Sequence, residues 1–222
     1  MSKIIKIDPS NPDSEIIQQA CMLLEAGELV GVPTETVYGI ACAPEHLEKL
    51  YCAKERDRGK PIARLAASLE QVEALGADFG RDGKALAQKY WPGPLTLVLN
   101  TPDGPTGFRV PNHPVPLALA RAVGRPIALT SANKSGGTDA TTAQEAFQTL
   151  ETAVPLFLDS FQALEIHDAD GVNSGEKVPR SGNIPSTVVQ CLPALSGVEG
   201  RNETKILREG VISSENISAN LA

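Results

Sequence analysis

Short apolar runs, separated by polar joints rich in glycine and proline, recur along most of the chain. Leu29–Val32, Ile62–Ala67, Leu95–Leu99, Gly107–Val110, Ile127–Thr130, Pro155–Leu158 and Ser186–Cys191 are each four to six residues long, and Ile206–Leu207 is shorter still. Runs of this length bounded by turn residues predict strands. Residues 3–7 alternate weakly and predict an edge strand. Between these runs the apolar period lengthens. Ile16, Ile17, Ala20, Cys21, Leu23 and Leu24 share one helical face, with Asp13 or Ser14 as the cap and Gly27 as the stop. Glu45–Glu55, Asp82–Tyr90 and Pro114–Val123 also read as helices. Ser68-Leu69-Glu70-Gln71 and Thr142-Ala143-Gln144-Glu145 are capping boxes that open two more, the second running to about Leu150.

Strands and helices mix along the whole length without strict alternation. That order predicts an α/β fold, a twisted mixed sheet with helices on its faces. A chain of 222 residues suits one domain spanning 1–222. Asp168–Pro185 and Pro193–Thr204 read as mobile loops, and the last dozen residues as a frayed tail.

Composition narrows the class. Aromatics are 4% of the chain, which speaks against a base-stacking surface of the kind that holds single-stranded RNA. A net charge of −7 speaks against a general nucleic-acid coat, while leaving room for a local basic pocket. The four cysteines form no C-x-x-C pair and the three histidines stand far apart, so no zinc signature is present. With no apolar run of 18 residues, a reducing, cytoplasmic setting away from membranes is expected.

The basic run Lys54-Glu55-Arg56-Asp57-Arg58-Gly59-Lys60-Pro61-Ile62-Ala63-Arg64 carries five cations against two anions. Leu47, Leu50, Tyr51 and Lys54 stand at i, i+3, i+4 and i+7, so Lys54 shares a face with core-type residues and points inward. An anion-binding wall fits this run, as does a solvated helix end. Pro33–Gly39 places two threonines around Glu35 at a strand end, where hydroxyls and free N–H groups hold anions; a plain turn has the same composition. Thr130–Gly137 repeats the pattern after another strand and leads to Thr141 at a helix N-terminus. Arg109 and Arg208 each interrupt a strand-like stretch, as edge-strand cations also do. His113 reads as a cap or loop residue. No P-loop, Rossmann fingerprint or serine elbow occurs. Cations and hydroxyls without an obvious nucleophile suit charge stabilisation in transfer at phosphorus.

Taken in order, these pieces resemble the threonylcarbamoyl-AMP synthase family, the YrdC-like domain, from about Leu29 to Val211. They are Pro33-Thr34-Glu35-Thr36-Val37-Tyr38-Gly39, Lys54-x-Arg56 with Lys60-Pro61, Trp91–Val98, Arg109–Pro114, Ser131-Ala132-Asn133, Pro185–Val189 and Ile206–Gly210. The resemblance implies a YrdC-like fold around a concave pocket. It also implies an enzyme that combines L-threonine, bicarbonate (or CO₂) and ATP, with Mg²⁺, into threonylcarbamoyl-AMP and pyrophosphate. A partner complex then transfers the threonylcarbamoyl group to tRNA, and weak tRNA contact by this chain is compatible with that role. Carried over, Thr34, Arg109, Ser131 and Ser186 surround threonine. Lys54, Arg56, Lys60, Asn133, Thr141 and Arg208 surround ATP, with Lys54 and Arg56 as the catalytic cations.

Two positions depart from the pattern. Asp57 replaces the usual proline after Arg56, where it retunes the pocket or pairs with Arg58. Arg64 breaks the usual aliphatic run after Lys60-Pro61, and neither Arg58 nor Arg64 falls on a family cation position, so both read as surface charge. The length predicts no added C-terminal domain. Two other readings stand beside the synthase: an RNA-binding or ribosome-associated module of the same fold, and a related carbamoyl- or adenylyl-transfer enzyme for another small acid.

Overall fold

Alternation of side chains along the strands decides the architecture. In β2 (Val30–Val32), Val30 and Val32 join one apolar cluster, while Leu29 just before it joins another. In β3 (Gly39–Cys42), Ile40 and Cys42 face the second cluster and Ala41 the first. Both faces of this part of the sheet are therefore covered, as a period of two requires. The computed structural model describes residues 1–160, 184–193 and 202–221.

The other strands are β1 (Lys3–Lys6), β4 (Arg64–Leu65), β5 (Leu95–Thr101), β6 (Gly104–Arg109), β7 (Ile127–Ser131), β8 (Leu156–Asp159), β9 (Thr187–Pro193) and β10 (Asn202–Arg208). Among the described residues the ten form one mixed sheet in the order β1-β8-β2-β3-β7-β4-β6-β5-β9-β10. Pairing is parallel for β1–β8, β2–β8, β4–β6 and β5–β9, and antiparallel at the other joints.

Helices cover the sheet in three groups. One face carries α1 (Ser14–Glu25) and α5 (Pro114–Val123), whose Ile17, Leu24, Val115 and Leu119 share a cluster with Val30 and Val32. The opposite face carries α2 (Leu47–Lys54), entered through a 3-10 turn at Pro44–His46, and α6 (Ala143–Leu150). The third group is α3 (Leu69–Glu73), α4 (Gly80–Tyr90) and α7 (Ser214–Ala219), packed around Phe108 and the apolar side of β5 and β9.

The caps act as the sequence predicts. Asp13 accepts from Glu15 and Ile16 N–H, Ser68 from Gln71 N–H and Thr142 from Glu145 N–H. In both capping boxes the third helical residue reaches one residue further back than the cap itself. Gln71 accepts from Ala67 N–H and Glu145 from Thr141 N–H. His113 caps α5, its Nδ1 accepting from Val115 N–H at 3.2 Å.

Several expectations need correction. β3 carries no strand signal in the sequence, because its four residues are all buried and follow a turn dense in threonine. The predicted strand 62–67 shrinks to Arg64–Leu65, because only these two pair with both β6 and β7. The tail is not frayed throughout: α7 forms there, capped by Ser213 and anchored by buried Ile217. Of the two predicted loops, Asp168–Pro185 lies outside the described residues up to 183. The outer parts of Pro193–Thr204 pair as strand, with Asn202 opposite Pro193 and Thr204 opposite Cys191.

One clasp joins the end of the sheet to its interior. Thr187 Oγ1 accepts from Gly210 and Ile212 N–H, both at 3.0 Å, and donates to Ile212 O at 2.7 Å. A Cβ on Gly210 would stand 2.1 Å from Pro185 O, so only glycine allows this approach. Gly210→Ala is expected to cost about 1–3 kcal/mol, as overpacking does. Urea denaturation should show an earlier midpoint with an unchanged slope.

Candidate functional site

The cavity is the second face of β5 and β9. Leu95, Leu97, Leu99, Val189 and Cys191 point into the core, so the intervening Thr96, Val98, Ser186 and Val188 point the other way and line a cavity of about 330 Å³. Strand ends and loops from β2–β3, β4, β6, β7 and β10 close its other sides. Gly107 on β6 widens it, since a Cβ there would meet Ala63 Cβ at 3.3 Å and Thr96 Cγ2 at 3.6 Å.

Three arginines, Arg56, Arg109 and Arg208, line this cavity against one carboxylate, Asp139, while Arg64 belongs to the β4 wall with its side chain on the face of Phe108. A chain of net charge −7 thus gathers positive charge at one concave place. Arg208 leans on the residue just before β9: its Nε and Nη2 donate to Ser186 O at 3.2 and 2.8 Å, and Nη2 to Ser186 Oγ at 3.3 Å. Ser186 Oγ also bonds Thr96 Oγ1 at 2.9 Å. Burial lowers the pKa of Arg208; Asp139 opposes that, and the neighbouring charges of Arg109 and Arg56 add to it. These shifts place the three cations in one another's field.

Arg109 ends β6 and is buried. Its Nη2 pairs with Glu35 Oε1 at 2.7 Å, Nη1 donates to Thr36 Oγ1 at 2.9 Å and Nε donates to Gly93 O at 3.1 Å. Glu35 Oε1 also accepts from Asn112 N–H at 2.8 Å. The Pro33–Gly39 turn and the Trp91–Pro94 turn therefore meet on one guanidinium, and the loop after β6 joins them through Glu35. Within the first turn, Thr34 Oγ1 donates to Val37 O at 2.6 Å and accepts from Thr36 N–H at 3.2 Å.

Lys54 is 1% exposed, which settles its inward phase. Its ammonium donates to Ser131 O, to Asn133 O at 2.5 Å and to Asn133 Oδ1 at 3.0 Å. Three N–H groups thus meet three acceptors. Asn133 Oδ1 also accepts from Ser131 Oγ at 2.6 Å, and its Nδ2 donates to Gly137 O at 2.6 Å. The S-x-N spacing follows from this geometry, since one lysine head gathers both carbonyls and the amide. α2 ends at Glu55 with φ 51°, a left-handed cap more usual for glycine, and the chain then turns so that Arg56 donates to Lys60 O and Pro61 O.

Of the predicted site residues, Thr34, Arg56, Arg109, Ser131, Ser186 and Arg208 line the cavity together. Lys54 and Asn133 stand behind the wall, shaping the loop that presents Ser131. Lys60 is exposed, and its side chain has no partner among the described residues. Thr141 is bound by Glu145 at the start of α6, its Oγ1 donating at 2.9 Å, and it does not line the cavity. Arg58 is surface charge as expected, paired with Glu48 at 2.6 Å. Asp57 does not pair with it; its Oδ1 accepts from Gly59 N–H. Arg64 is half-buried in β4 and forms part of the cavity wall, but its place opposite Phe108 and Ala128 directs its side chain to the other face of the sheet. Asp139 also lines the cavity, and its polar loop has no periodicity that marks it in the sequence. Glu35 was visible between two threonines, but its partner lies 74 positions away in sequence.

Comparison with known proteins gives the family and the fold. The Sua5/YciO/YrdC family model, described as telomere recombination, matches residues 22–210. The chain belongs to this family. A threonylcarbamoyl-AMP synthase of Bacillus subtilis is 32% identical over 219 residues, covering 91% of this chain and 56% of the relative. A putative threonylcarbamoyl-AMP synthase of Mycobacterium tuberculosis is 32% identical over 224 residues, covering 95% and 91%. The crystal structure of P. abyssi Sua5 complexed with L-threonine superposes with a TM-score of 0.80 at 27% identity, covering 99% of this chain and 61% of that one. The chain thus spans 56% of the Bacillus subtilis relative and 46% of one from Pyrococcus abyssi.

Two predictions follow from the buried charges. Glu35→Gln leaves Arg109 buried without its counter-charge and should cost about 3–5 kcal/mol in equilibrium unfolding, the usual result of breaking a buried pair from one side. Lys54 has its pKa pushed from 10.5 down to about 8, chiefly by burial and then by Arg56, with Asp139 opposing. The folded state therefore releases this proton before the unfolded chain does, and between those two values stability attributable to Lys54 rises with pH. Unfolding of the parent and Lys54→Met, measured from pH 7 to 10.5, should show the parent gaining on the variant above pH 8.

Proposed function

We propose that the chain makes threonylcarbamoyl-AMP from L-threonine, bicarbonate (or CO₂) and ATP, releasing pyrophosphate. The observation that carries this reading is the convergence of Arg56, Arg109 and Arg208 with Thr34, Ser131 and Ser186 on one cavity, in a family whose P. abyssi member binds L-threonine.

The chemistry needs such a place. Carboxylation of the threonine amine leaves a carbamate beside the α-carboxylate. A carbamate oxygen then attacks the α-phosphorus of ATP, a new P–O bond forms, the bond to the β-phosphate bridge breaks, and pyrophosphate leaves with its electron pair. Anion approaches anion, so fixed cations lower the barrier most where charge builds up. Arg56 and Arg208 serve the phosphate side. Thr34, Ser131, Ser186 and the neutralised Arg109–Glu35 pair orient the amino acid. Lys54 and Asn133 hold the Ser131 loop at a fixed distance, and Lys60 and Thr141 reach ATP from the rim if their loops move toward it.

Mg²⁺ suits this donor set as a companion of the triphosphate. Among the described residues no group of three acidic, histidine or cysteine side chains forms a cage. One lining carboxylate, Asp139, matches the usual pattern in which Mg²⁺ takes few protein ligands and the substrate phosphates supply the rest. The ion would supply charge neutralisation at the phosphates. The product is a reactive mixed anhydride, which implies hand-off to a tRNA-modifying complex. The four free cysteines suit a reducing cytoplasm, and among the described residues no helix is long and apolar enough to cross a membrane.

The test measures pyrophosphate release. Release that requires threonine and bicarbonate together is expected, and Arg56→Ala should lower kcat about 10²–10³-fold, the scale for losing one preorganised donor. Release that proceeds without either co-substrate would overturn the reading.

A further inference from the structure

Ser186 does not stand alone in the cavity wall. Its Oγ lies 2.9 Å from Thr96 Oγ1 and accepts from Arg208 Nη2 at 3.3 Å. Thr96 and Ser186 are both buried, each 6% exposed, and both line the cavity. Two contacts fix how Thr96 is turned. Its Cγ2 faces Gly107, standing 3.6 Å from where a Cβ there would sit, and its Oγ1 faces Ser186.

The backbones that carry this pair are held as well. Thr187 N–H donates to Pro94 O at 3.0 Å, and in the parallel register Leu95 lies opposite Thr187 and Thr96 opposite Val188. Thr187 Oγ1 is closed on Gly210 and Ile212. Threonine is branched at Cβ, so its hydroxyl is stiffer than that of serine.

Counting hydrogens shows what the pair is short of. Two hydroxyls bring two hydrogens, and the bond between them uses one. The Arg208 contact takes a lone pair of Ser186 and supplies its own hydrogen. Among the described residues neither hydroxyl has another acceptor. One O–H donor is left over in a buried wall, where an unmade hydrogen bond costs free energy. When Thr96 donates, both lone pairs of Ser186 are taken and the spare hydrogen is that of Ser186. A guanidinium on the same oxygen strengthens it as a donor and suits it to an anionic acceptor.

We infer that Thr96 is a positioning residue: it donates to Ser186 and so turns the Ser186 hydroxyl hydrogen toward a carboxylate oxygen of the amino-acid substrate. This rests on the synthase reading. Threonine affinity is measured by calorimetry, and Michaelis constants for threonine and ATP by pyrophosphate release, for the full chain and for Thr96→Val, Thr96→Ser, Ser186→Ala and the double variant Thr96→Val/Ser186→Ala. Thr96→Val should weaken threonine binding about 3–10-fold, the scale of one hydrogen bond, and raise the threonine KM in step. The ATP constant should stay within about twofold, because Arg208 keeps its hold on Ser186 O. Thr96→Ser should stay close to the parent. On the Ser186→Ala background, Thr96→Val should change threonine binding less than about twofold, since no hydroxyl is left to position.

A Thr96→Val chain that binds threonine as the parent does would overturn the inference, whether or not its thermal midpoint falls. A loss confined to ATP would also overturn it. A loss that persists in full without the Ser186 hydroxyl would overturn it too, because Thr96 would then touch the substrate itself. Each of these leaves the synthase reading intact. A parent chain with no threonine-dependent release overturns both. If Thr96→Val does not fold, Thr96→Ala decides by the same criteria.

Discussion

A buried ammonium group with three carbonyl acceptors organises the site. Lys54 sits at the last turn of α2, and its donors reach Ser131 and Asn133 in the loop after β7. Burying that charge is unfavourable unless the acceptors are close and fixed. The same demand fixes the acceptors. Ser131 is held at the cavity wall, Asn133 is turned so that its amide spans to Gly137 O, and Ser135 N–H bonds Lys54 O at 2.9 Å. One helix end and one loop become a single rigid wall, and Arg56 follows two residues on.

The rest of the cavity follows from strand alternation and charge pairing. β5 and β9 give one face to the core around Phe108 and the other to Thr96, Val98, Ser186 and Val188. The second buried charge, Arg109, ties the Pro33–Gly39 turn to the Trp91–Pro94 turn through Glu35, Thr36 and Gly93, and Glu35 in turn holds the loop after β6 at Asn112. Arg208 reaches back onto Ser186 because Gly210 lets the chain after β10 lie against Pro185. The cavity-lining cations Arg56, Arg109 and Arg208 are thus spread over distant stretches of sequence and meet only because the sheet places their elements side by side.

The legible parts of the sequence were those ruled by local physics. Pro114–Val123 and the two capping boxes appear where the pattern puts them, since caps and periodicity act within a few residues. The inward phase of Lys54 was readable from i, i+3, i+4 and i+7 spacing. β3 was not, because four residues buried on both faces carry no alternation. Ile217 is a single apolar residue in a polar tail, and its burial depends on a long-range partner surface. A cation inside a short strand such as Arg64 has no local signature; only the register opposite Phe108 of β6 and Ala128 of β7 sets its face. Glu35 and Asp139 share that limitation.

The account makes Lys54 the anchor of the Ser131–Gly137 loop, and backbone hydrogen exchange in Lys54→Met tests that directly. Faster exchange is predicted at Ser135 and Gly137 amides, with protection of the paired amides in β5 and β9 unchanged. Protection of that loop equal to the parent's, in a folded variant, would contradict the account.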